Sequence, residues 1–246
     1  MNRIFEVNYS GFPIRYLFRK NSTARYFSQH VYLSKSESFD IHMNDDEFAV
    51  FRDMHPDEIS DDYVEYKGLI YLTAKKLLEE KRCIFHSVSF VWNDKAWLLT
   101  GKSGEGKTTQ YLNWNKLFPE EITMISGDMP LLYCRKDRII VYPSPWNGKE
   151  NYKSDLSAEL GGIVLLKQDN ENRFVEAELK EKIQTLYRQF AVAPSCEKEI
   201  HTIASMVQTM IETVPVWIFT NNGTEESTCI LRNELIKYLD KEERSE

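Results

Sequence analysis

No apolar run in this chain approaches the roughly 18 residues that a membrane span requires, so no membrane partner is expected. Glu6 interrupts the place where a secretory apolar region would begin, and no leader is expected either. Lys and Arg never cluster into a basic stripe, and the net charge is -7, so a dedicated nucleic-acid binder is not expected. The four cysteines, Cys83, Cys134, Cys196 and Cys229, contain no CxxC pair, which removes the commonest metal and redox spacings. They are expected as free thiols in a reducing cytoplasm. Internal repeats and low-complexity tracts are absent.

What remains is globular material. The 246 residues are 42% hydrophobic and 28% charged, enough for a real core in one large domain or a domain with an extension.

Against that background one stretch stands out. Gly101-Lys102-Ser103-Gly104-Glu105-Gly106-Lys107-Thr108, followed by Thr109, fits the P-loop pattern of a glycine, four free positions and Gly-Lys-Thr. At ordinary residue frequencies a chain of this length matches about once in a hundred. The context makes chance rarer still. Ala96-Trp97-Leu98-Leu99-Thr100 before it is an apolar run of strand length, and Thr109-Gln110-Tyr111-Leu112 after it can open a helix. Strand, glycine turn and helix are what a phosphate cradle requires. Successive backbone N–H groups bind phosphate oxygens, and the helix N-terminus adds partial positive charge. Lys107 would reach the terminal phosphates, and the Thr108 hydroxyl would hold Mg²⁺.

The rest of the chain reads as a β-rich extension over residues 1–56 and a main domain over 57–246. In the extension, Ile14–Phe18, Tyr26-Phe27 and His30–Leu33 read as short strands, with turns at Asn21–Thr23, Ser34–Ser38 and Met43–Asp46. Asp57–Lys81 reads as a helix capped by Ser60. Ile84–Val91 reads as one strand, joined by a turn at Asn93-Asp94-Lys95 to the strand before the P-loop. Ile122–Ile125 reads as a strand ending at Ser126-Gly127-Asp128, followed by a second hairpin and a loop from Pro143 to Tyr152. Gly162–Leu166 and Pro215–Phe219 read as buried strands. Helices are expected near Leu179–Gln189, over Glu197–Thr213 with Ile200 on its apolar face, and over Glu225–Glu242.

Three further positions can carry chemistry. Asp128 ends an apolar strand shortly after the P-loop helix, where an acid can hold Mg²⁺ or accept a proton from an attacking hydroxyl. His86 lies in a strand that should pair with the one feeding the P-loop, which would put its ring near the phosphates. Lys149, in the loop Tyr142-Pro143-Ser144-Pro145-Trp146-Asn147-Gly148-Lys149-Glu150, is a cation that can contact a transferred phosphoryl group. Trp146 either lines a pocket or anchors an ordinary surface turn.

In this order the residues resemble a known family. His-Ser on a strand, a hairpin, Gly-x-Ser-Gly-x-Gly-Lys-Thr, a strand ending in Asp, and a Pro-rich loop with Gly-Lys look like the kinases related to HPr kinase/phosphorylase. The likeness covers about residues 80–235 and includes Leu160–Leu166 and Val214–Phe219. The family is similar in its core to the ATP-dependent phosphoenolpyruvate carboxykinases. Its small members include kinases of lasso-peptide precursors. The resemblance implies a mixed-sheet α/β P-loop kinase core, ATP with Mg²⁺ as the donor, and a serine hydroxyl of a peptide or small protein as the acceptor. It carries over to His86, to the P-loop from Gly101 to Thr108, and to Asp128. In the family the strand after the P-loop ends in two adjacent acids, whereas here the first of these positions is Gly127 and only Asp128 remains, which argues against a phosphorylase back-reaction. A small-molecule kinase, an ATP-binding regulator without catalysis, and a homo-oligomer stay open on the residues.

Overall fold

The computed structural model describes residues 4–27, 39–146 and 154–244. The expected strand at His30–Leu33, the turn at Ser34–Ser38 and the cation Lys149 lie outside the described residues.

The chain begins with β1 (Ile4–Asn8) and β2 (Pro13–Leu17), an antiparallel pair extended in parallel by β3 (Phe39–Ile41). Between β2 and β3, Tyr26 closes a short 3-10 helix over Asn21–Tyr26 rather than a strand. Met43–Asp46 likewise does not make a turn. It opens α1 (Asp45–Asp53) through a capping box: the Glu47 amide donates to Asn44 Oδ1 at 2.8 Å, and the Asn44 amide donates to Glu47 Oε2 at 2.9 Å. Asp45, Asp46 and Glu47 then sit at the positive end of the helix.

The main domain opens with α2 (Asp61–Leu78), preceded by Ser60 at its N-cap, whose side chain makes no capping hydrogen bond. Among the described residues a nine-stranded mixed sheet follows. Its strands are β4 (Arg82–Ile84), β5 (Ser87–Trp92), β6 (Lys95–Thr100), β7 (Thr123–Ser126), β8 (Leu131–Cys134), β9 (Ile139–Tyr142), β10 (Ala158–Gln168), β11 (Arg173–Glu176) and β12 (Val216–Asn221). The helices between and after them are α3 (Lys107–Leu117), α4 (Leu179–Tyr187), α5 (Glu197–Thr213) and α6 (Glu225–Glu243).

The expected strand Ile84–Val91 is two strands. β4 pairs with β8, while β5 pairs with β6 and β7, and the chain switches partner at Phe85-His86. β10 is the branch of the sheet. Its first residues pair antiparallel with β9, its later ones parallel with β12, and its other edge runs parallel to β6. Successive side chains alternate faces. Leu98, Ile163, Leu165 and Ile218 join α2 and α5 in one core cluster, which also takes in Ile14 and Tyr16 of the N-terminal sheet. Trp97, Leu99, Val164, Leu166, Trp217 and Phe219 face α3 and α6 in the other. Ile200 of α5 stays 46% exposed, off the apolar face expected for it. Because helices cover both faces, β6 and β10 read as near-continuous apolar runs.

Candidate active site

The turn after β6 is built for backbone exposure. Gly101 has φ 151°, and a Cβ there would lie 2.5 Å from Glu105 Oε2 and 2.7 Å from the Leu166 carbonyl oxygen, so only glycine fits. Gly106, the N-cap of α3, is left-handed at φ 92°. The loop is tied on both sides. The Lys102 amide donates to Glu105 Oε2 at 2.5 Å, and Lys107 Nζ donates to the carbonyls of Gly101 and Lys102, both at 3.0 Å. Ser103, Gly104 and Thr109 are exposed, while Thr108 is half-buried in the first turn of α3.

Behind the loop lies a polar network. Gln110 Nε2 on α3 donates to Asn221 Oδ1 at 3.0 Å and to Ser227 Oγ at 2.8 Å. Thr228 Oγ1 donates back to Gln110 Oε1 at 2.8 Å, and Asn221 Nδ2 donates to the Lys167 carbonyl at 3.0 Å. Gln110, Ser227 and Thr228 are fully buried and Asn221 nearly so. Buried groups satisfied in this way fix α3 to the ends of β10 and β12, and so fix the loop.

Two sequence candidates from different elements meet here. His86 occupies the switch between β4 and β5, and its amide donates to the Gln189 carbonyl at 2.8 Å. Thr100 Oγ1, on the last residue before the loop, donates to the His86 carbonyl at 2.8 Å. Asp128 follows β7, and its carbonyl accepts from the Ser87 amide at 2.8 Å. The two side chains meet, with His86 Nε2 3.2 Å from Asp128 Oδ1, and each is about one-third exposed. Burial pushes the Lys107 ammonium below the ordinary lysine range, against the opposing pull of Asp128 and Glu105. Asp128 thus contacts the imidazole and attracts the charge of the P-loop lysine.

Sequence reasoning missed several supports. Tyr66 of α2 feels the Asp128 charge, and its phenol is pushed well above the ordinary tyrosine range, first by burial and then by Tyr63 and Asp128. Its ring packs on Trp146 with centroids 5.4 Å apart. Trp146 is an anchor rather than a pocket wall, 1% exposed among Tyr16, Phe27 and Tyr66. Ser144 Oγ donates to the Met129 carbonyl and so moors that loop beside Asp128. Gln189 contributes through its backbone, for which no residue type is a signal. Asn221 did carry one, standing at the end of a buried strand just before Asn222-Gly223.

A cleft of about 710 Å³ runs from Lys102–Glu105 past the end of β10 to α4 and Gln189. Cavities of this size hold small-molecule ligands. Among the described residues no three His, Cys, Asp or Glu side chains gather to make a metal cage. The Thr108 hydroxyl and the Asp128 carboxylate are nonetheless oxygen donors of the type that Mg²⁺ takes, since that ion keeps waters and relies on one or two carboxylates plus substrate phosphates. No described helix is long and apolar enough to cross a membrane.

Neither a protein-family model nor a curated protein matches the sequence. Among solved structures, the Hpr(Ser) kinase/phosphatase from Coxiella burnetii aligns with 66% of this chain and 96% of that one, at 12% identity and a TM-score of 0.37. At that score the likeness does not bear on function.

Proposed function

We propose that the protein is an ATP-dependent kinase that transfers the γ-phosphoryl group to a hydroxyl, a serine of a peptide or small protein. One observation supports the reading: His86 Nε2 lies 3.2 Å from Asp128 Oδ1, and the Asp128 carboxylate also attracts the charge of the P-loop Lys107. The loop amides and Lys107 bind the phosphates, and Thr108 with Asp128 would hold Mg²⁺, which would offset charge on the phosphate oxygens. Asp128 takes the proton of the acceptor hydroxyl, and His86 holds that carboxylate in place. The acceptor oxygen bonds to the γ-phosphorus, the bond from that phosphorus to the β,γ-bridging oxygen breaks, and ADP leaves with the electron pair.

The test uses purified protein, ATP, Mg²⁺ and peptides encoded beside its gene, read by mass spectrometry. A peptide gaining one phosphate with wild-type protein and none with Lys107→Ala supports the reading. Absence of ATP binding to the wild type, or phosphate gain undiminished by Lys107→Ala, refutes it.

A further inference from the structure

Arg188 stands where α4 ends, at its C-cap, and faces the same cleft as the P-loop. The residues after it are locked to the His86 strand. The Gln189 carbonyl accepts from the His86 amide at 2.8 Å, the Ala191 amide donates to the Ile84 carbonyl at 3.0 Å, and Phe85 and Phe190 form an antiparallel bridge. Gln189 and Phe190 are buried, yet Arg188 between them and the helix is exposed. Its backbone is therefore fixed beside the strand that carries His86, while its side chain is exposed along the cleft wall.

The other charges of the cleft are disposed differently. Of its three glutamates, Glu181 is held by Lys167, Glu105 by the Lys102 amide, and Glu178 forms no ion pair among the described residues; Lys102 is a lysine of the phosphate loop itself. Lys180 lies eight residues before Arg188, about 12 Å along the helix axis, toward the far end. Arg188 forms no ion pair among the described residues. An unpaired guanidinium opposite a phosphate cradle has a specific chemistry, because its planar fork matches the oxygens of a phosphoryl group in a bidentate way that an ammonium cannot.

We infer that Arg188 is a second cation of the site, contacting the γ-phosphoryl oxygens of the bound nucleoside triphosphate from the α4 side of the cleft. The inference rests on the kinase reading above. In the transfer step the charge on those oxygens is shared by Lys107 and Arg188, and no proton or bond is exchanged with either. ADP lacks the group that Arg188 touches, so the residue discriminates triphosphate from diphosphate.

The experiment compares Mg²⁺-ADP and Mg²⁺-β,γ-imido-ATP binding by calorimetry in the full-length wild type and in Arg188→Gln, Arg188→Lys and Lys107→Ala, with melting curves for each. Arg188→Gln should lose roughly 10–100-fold affinity for the imido triphosphate, the range for a hydrogen bond to a charged group, and keep its ADP affinity. Arg188→Lys should lose part of the same preference, and it decides the matter if the glutamine variant melts early. Lys107→Ala should weaken both ligands. Wild type that binds both nucleotides, with the triphosphate preference unaltered in the Arg188 variants, overturns the inference and leaves the kinase reading intact. Wild type that binds neither overturns both.

Discussion

Lys107 carries a cost that its function would explain. Partial burial disfavours its charged form, and attraction to Asp128 and Glu105 only partly offsets this. The folded-state value lies below the ordinary one, so between the two values the unfolded chain binds more protons and stability rises with pH. Below the folded value the penalty is fully present, and it is relieved as pH climbs toward 10.5. Lys107→Met should therefore melt no lower than wild type at pH 7 without nucleotide, and any advantage should shrink above pH 10, while ATP binding is lost. A clear drop in melting temperature at pH 7 would show that the lysine's bonds to the Gly101 and Lys102 carbonyls outweigh its burial. At Asp128, replacement by Asn keeps the shape and removes the charge. A positioned base contributes about 10²–10⁴-fold, so phosphoryl transfer should fall by that order, with metal-free ATP binding nearly unchanged. His86→Ala should cost less than Asp128→Asn. The opposite order in a steady-state assay would make the imidazole the base.

Elements were legible to the extent that their signals are local. The P-loop, its flanking strand and helix, and the hairpin β5–β6 could be read because glycine turns and apolar periodicity act within a few residues. The capping box at Asn44 was missed because Met43–Asp46 has turn composition, and only the reciprocal bonds of Glu47 reveal a helix start. The division of Ile84–Val91 was hidden because β4 and β5 are both apolar, and their separation comes from different partners, β8 and β6. That division is what frees His86 to turn toward Asp128. Arg188 and Gln189 gave no signal, since their place depends on a bridge between Phe85 and Phe190, far apart in sequence. Gln110 was visible only as part of a helix opening. Its network gives an element-level prediction. Gln110→Ala leaves Asn221 Oδ1, Ser227 Oγ and Thr228 Oγ1 without their buried partner. Stranding buried polar groups costs about 1–3 kcal/mol each before relaxation. Urea unfolding should show a loss of that order, and nucleotide affinity should fall with it because the loop is no longer braced. Unchanged stability would mean that the network is dispensable to α3.

At the scale of the molecule, Trp146 joins parts that the chain keeps apart. Its ring centroid lies 4.5 Å from that of Phe27 in the N-terminal layer and 5.4 Å from that of Tyr66 on α2, while its own loop is moored to Met129 beside Asp128. Truncating a buried tryptophan typically costs about 3–5 kcal/mol. Trp146→Ala should lower stability by that order and also reduce phosphoryl transfer more than it reduces ATP affinity, since the cradle is held elsewhere. Equal losses in both would place its effect on global unfolding alone.

The parallel pairing of β6, β10 and β12 has a consequence for how the chain reaches this state. Leu99, just before the P-loop, lies opposite Val164, which lies opposite Trp217. Such long-range parallel contacts form slowly, because loop closure must precede any reward. The glycine turn is complete in sequence by Thr108, yet its brace at Asn221 and its cover from α6 lie far downstream of it. During synthesis the phosphate cradle should therefore consolidate well after its own residues are made, and nucleotide would capture braced molecules rather than guide unbraced ones.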